Sequence, residues 1–78
     1  MGRQWYVFTF GIGVPNGGRF VRVYGTYEEA RNQMFETYGR AWAFQYAEGQ
    51  WKQVLRDSKE RGYPVETEMA FGESSHDV

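Results

Sequence analysis

Residues Trp5-Tyr6-Val7-Phe8-Thr9-Phe10 form a run of aromatic and β-branched side chains, which predicts a strand. Its alternate sets, Trp5/Val7/Thr9 and Tyr6/Phe8/Phe10, are both largely apolar, so both faces of this strand should be covered. Gly11 to Gly18 is dense in turn formers, and Asn16-Gly17 is a strong hairpin signal. Alternation resumes from Arg19 to Tyr24, with Val21 and Val23 on one side and Phe20, Arg22 and Tyr24 on the other. The pattern is a β-hairpin with a long tip.

Gly25 breaks the strand and Thr26-Tyr27-Glu28-Glu29 follows as a capping box. Tyr27, Ala30, Met34 and Tyr38 then recur at helical spacing, and Gly39 is the natural stop. Ala41 to Tyr46 alternates strictly, placing Trp42, Phe44 and Tyr46 on one face and Ala41, Ala43 and Gln45 on the other. A second helix from about Glu48 to Arg61 carries Trp51, Val54, Leu55 and Ser58 on one stripe, and Gly62 and Pro64 end it. Val65, Thr67, Met69 and Phe71 alternate as a short edge strand would. The order is ββαβα(β), a small α+β domain with an antiparallel or mixed sheet and a helix packed on one face. One domain over residues 1–71 is expected, with a polar, disordered tail at 72–78.

A chain of 78 residues makes a marginal core, and the absence of cysteine removes disulfides and thiolate metal sites as supports. Large side chains replace them, aromatics being 19% of the sequence. The one histidine, His76, lies in the tail, so no metal, cofactor or imidazole base is expected inside the fold. Without a cysteine nucleophile or a serine beside a base, the composition points away from an enzyme. Glu36 with Arg40 and Asp57 with Arg61 have the spacing of solvated helix pairs. No segment has the length and apolarity of a membrane span or signal peptide, and Tyr6 stands where a myristoylation site at Gly2 would need Ser or Thr. A cytoplasmic protein is expected. The net charge of −1 argues against duplex DNA as a partner. Seven of the nine basic residues are nevertheless arginine, whose planar fork suits anion recognition and stacking on rings.

Two constellations could carry a ligand. The amides around Gly11, Gly13, Asn16, Gly17 and Gly18 could form an anion nest, reinforced by Arg19 and Arg22. Neither a Walker loop nor a dinucleotide fingerprint fits, because these glycines join two strands. Tyr24, Trp42 and Tyr46 could stack a planar base beside the arginines. The bland alternatives are a flexible turn and ordinary core aromatics.

The strings Tyr6-Val-Phe-Thr-Phe-Gly-Ile-Gly, Phe20-Val-Arg-Val-Tyr-Gly-Thr-Tyr-Glu-Glu-Ala-Arg, Met34-Phe35, Tyr38-Gly39 and Trp42-Ala-Phe-Gln-Tyr46, with Trp51, resemble short uncharacterised proteins of phages and bacterial mobile elements. In the hairpin loop, where such proteins often carry polar residues or a histidine, this chain has Val14-Pro15-Asn16-Gly17. The resemblance implies a phage-type accessory protein in the host cytoplasm that counters host defence. The expected partner is a small anionic, nucleotide-like immune signal that the chain sequesters. A host defence protein, such as a nuclease or effector that it inhibits, is the alternative, and single-stranded nucleic acid ranks last. A surplus of aromatics over what one helix can cover further predicts a homo-oligomer.

Overall fold

The alternation in the hairpin is realised as two paired strands, β1 (Gln4–Thr9) and β2 (Arg19–Gly25), antiparallel with Trp5 opposite Tyr24, Val7 opposite Arg22 and Phe8 opposite Val21. The computed structural model describes residues 2–11, 16–63 and 66–73. Gly13 of the hairpin tip, Pro64, Val65 and the end of the expected tail lie outside the described residues. β3 (Phe44–Ala47) joins β1 antiparallel, and β4 (Thr67–Glu68) joins β2 in parallel. The sheet is therefore mixed, in the order β3-β1-β2-β4, and the domain is α+β.

Helix α1 (Tyr27–Tyr38) starts where the sequence places it. The Glu29 amide donates to Thr26 Oγ1 at 3.1 Å, and the Thr26 amide donates to Glu29 Oε1 at 3.1 Å, closing the capping box. Arg3, just ahead of β1, donates from Nε and Nη2 to the two oxygens of the same carboxylate, at 3.1 and 2.9 Å. Gly25, at φ +155, lies so close that an added Cβ would sit 3.1 Å from Glu29 Oε1. The helix start is thus tied to both hairpin strands. Ala30 and Met34 press onto Tyr6, Phe8, Phe10, Val21, Val23 and Met69.

The helix expected on one face is α1, and the second helix covers the other. Helix α2 (Glu48–Glu60) follows β3 without a loop, its first turn held by Ala47 N donating to Gln50 Oε1 at 2.9 Å. Trp51 packs on Val7 and Phe20, with Tyr46, Val54 and Leu55 around them. The opposite alternate set of β1 is thereby covered by the chain itself. This is why neither set of β1 could be polar.

One expectation needs correction. The strict alternation from Ala41 to Tyr46 holds only from Phe44 onward, because residues 41–43 are not strand. Trp42 therefore turns to the α1 side, against Phe8, while Tyr46 stacks on Trp51 on the α2 side. Gly72 and Glu73, where the expected tail starts, are held by Tyr38. Tyr38 Oη accepts from the Gly72 amide and donates to the Glu73 carbonyl, both at 2.9 Å, and its ring meets Phe71. Among the described residues, no helix is long and apolar enough to cross a membrane.

Candidate functional site

On the flank of α1 beside its core stripe, Tyr27, Arg31 and Phe35 recur every four residues and face the chain that leads into β3. Gly39, at φ +63, turns the chain back. The Ala41 amide then donates to the Tyr38 carbonyl at 3.1 Å, and the Ala43 amide to the Thr9 carbonyl at 2.7 Å. Between these two anchors the half-buried Trp42 ring stands edge-on to Phe8, centroids 5.0 Å apart, and tilts against Phe35 at 5.4 Å. Arg40, Ala43, Phe44 and Gln45 complete the wall of a groove of about 400 Å³.

Arg31 occupies the middle of this groove. Its guanidinium carbon lies 5.1 Å from the Trp42 ring centre and 5.5 Å from that of Phe35. Nη1 donates to Gln45 Oε1 at 3.4 Å, and Gln45 Nε2 donates in turn to the Tyr27 carbonyl at 3.1 Å. The guanidinium is fixed by rings and an amide, all neutral. The ion pairs among the described residues are Arg3–Glu29 and Arg22–Glu68, so neither Arg31 nor Arg40 is neutralised by a carboxylate. Among the described residues, no acidic residue lines the groove. The expected Glu36–Arg40 and Asp57–Arg61 pairs do not close. Two arginines and the rings of Tyr27, Phe35 and Trp42 thus surround a concavity with positive potential, while the Phe44 ring turns to the other face of β3, 6.1 Å from that of Tyr46.

The residues singled out from sequence are not gathered into one site. Gly11, Asn16, Gly17 and Gly18 sit at the hairpin turn, with positive φ at Gly11, Asn16 and Gly18. The Gly18 amide donates to the Gly11 carbonyl at 3.3 Å and the Arg19 amide to the Asn16 carbonyl at 3.1 Å, so the Gly18 amide of the expected nest and its neighbour close the turn. Arg19 is half-buried at the start of β2. Arg22 faces the α2 side, where its Nε lies 3.5 Å from Glu68 Oε2. Tyr24 lies on that side too, in edge contact with Trp5 at 5.4 Å, and Tyr46 is under α2. Of the sequence-selected residues only Trp42 lines the groove. Arg31, Arg40, Tyr27, Phe35 and Gln45 were missed as site residues. Their signal was a second stripe on α1, Tyr27/Arg31/Phe35, beside the apolar one.

Comparison with known proteins finds no matching family, no matching curated protein and no matching solved structure.

Proposed function

We propose that this chain is a non-enzymatic binding domain that takes a small anionic, base-bearing ligand of the nucleotide class in the groove around Arg31. The observation that carries the proposal is an arginine fixed between Trp42 and Phe35 with no carboxylate among the described residues to neutralise it. Such a guanidinium keeps N–H donors for phosphate oxygens, and Arg40 adds a second cation on the same wall. Tyr27, half exposed on the groove wall, supplies a ring on which a base can stack. Among the described residues, the lining contains no carboxylate, imidazole, thiol or serine that could act as base or nucleophile, which favours binding over catalysis.

The resemblance to phage and mobile-element proteins supplies a setting. In the host cytoplasm, such a domain counters defence by sequestering a nucleotide immune signal. The proposal is tested by thermal shift against a panel of cyclic nucleotides and cyclic ADP-ribose isomers. A true ligand at a hundredfold excess over its Kd stabilises by about 2.7 kcal/mol, whereas flat melting curves across the panel reject it.

Inhibition of a host nuclease or effector is the second reading, favoured by the exposed Trp5–Tyr24 pair at 44% and 51% exposure. The same pair is the surface left for the proposed homo-oligomer, because α2 already covers Val7, Phe20 and Tyr46.

A further inference from the structure

We infer that the groove selects its ligand by phosphate and leaves the identity of the base unread. The inference rests on the proposed nucleotide site and deepens it. Reading a base requires free donors and acceptors aimed at its edge; stacking requires only a ring face and tolerates every base. Gln45 has the one side-chain amide on the groove wall, and both its ends are engaged. Oε1 accepts from Arg31 at 3.4 Å, and Nε2 donates to the Tyr27 carbonyl at 3.1 Å. The Trp42 indole Nε1 is fully buried and has no hydrogen-bond partner, so it is closed off from a ligand in the open groove. What remains at the surface are the guanidinium groups of Arg31 and Arg40, rings, and the Tyr27 hydroxyl, which donates or accepts as it turns and so does not tell one base edge from another. Guanidinium donors in a site without carboxylates match phosphate oxygens, while the rings contribute stacking that every base can satisfy.

Gln45 on this account is a positioning residue that acts through Arg31. The test is isothermal titration of the full chain and of Gln45→Ala with AMP, GMP, CMP, UMP and adenosine. The four monophosphates are expected to bind with Kd values within about fivefold of one another, as ring stacking tolerates all bases. Adenosine should bind at least about tenfold more weakly than AMP, the loss of a charge-assisted contact. Gln45→Ala should weaken all four monophosphates by a common factor. One base preferred more than about twentyfold, or a Gln45→Ala loss confined to one base, overturns the inference and leaves the nucleotide site standing. Failure of all four monophosphates to bind also overturns the inference, whereas the nucleotide site itself falls only to flat melting curves across the cyclic-nucleotide panel.

Discussion

The guanidinium carbon of Arg31 lies 5.1 Å from the centre of the Trp42 ring, and no acidic side chain shares the groove that contains them. A half-buried cation is ordinarily matched by a carboxylate, as Arg22 is by Glu68. Here the stabilisation comes from ring quadrupoles and one amide, which hold the side chain without cancelling its charge. Arg31→Ala should therefore weaken ligand binding by about tenfold or more, corresponding to a charge-assisted contact of about 1.5–3 kcal/mol. Arg31→Lys should restore only part of it, because an ammonium lacks the planar fork that the rings orient. Titration calorimetry on the two variants checks both expectations.

Acid should loosen the start of α1 through Glu29. The Thr26 amide and the Arg3 guanidinium hold this carboxyl below the usual glutamate range. A carboxyl depressed on folding contributes stability that is present above its unfolded pKa, about 4.3, and is lost as pH falls through the folded value. Glu29→Gln should flatten the dependence of melting temperature on pH below that point. Thr26→Ala should cost about 1 kcal/mol at neutral pH, the usual value of a lost N-cap. An unchanged acid profile in Glu29→Gln would place the titrating group elsewhere.

Trp51 is the residue by which α2 closes the second sheet face, 3% exposed over Val7 and Phe20. Trp51→Ala should cost about 3–5 kcal/mol in denaturant unfolding, a large share of the roughly 4–12 kcal/mol available to a chain this size. Trp51→Phe, which keeps a ring against Phe20, should cost far less. Equal losses in the two variants would mean that ring packing is not what holds α2.

Much of this fold is legible in the chain. The hairpin, the Thr26–Glu29 box, the Gly39 stop and the Trp51 stripe all depend on local periodicity or local hydrogen bonding, and each forms as the sequence implies. The site is not legible, because it is made between elements. Trp42 precedes β3 and escapes its alternation, and Arg31 acquires its role from contacts with Phe35, on the next helical turn, and with Trp42 and Gln45, more than ten residues away. The glycines, by contrast, drew attention by type alone, and at the turn the Gly18 and Arg19 amides serve to close the hairpin.

Self-association is expected to run through Trp5 and Tyr24, the exposed aromatics of the face that α2 leaves open. Light scattering at micromolar concentration should then give a mass above the 9.2 kDa of the chain, falling toward it in the Trp5→Ser, Tyr24→Ser double variant. A wild-type mass already near the chain mass contradicts the oligomer while leaving the groove untouched.

The central claim, a nucleotide-class ligand held at Arg31, is tested most directly by following the three indole N–H resonances during titration with the ligand that gives the largest thermal shift. Trp5, Trp42 and Trp51 report respectively on the exposed aromatic pair, the groove and the α2 core. The expected result is a saturable change at Trp42 and at the amides of residues 43–45, with Trp5 and Trp51 still, and its loss in Arg31→Ala. Changes centred on the Gly11–Gly18 turn or on Trp5, with Trp42 unmoved, would contradict it.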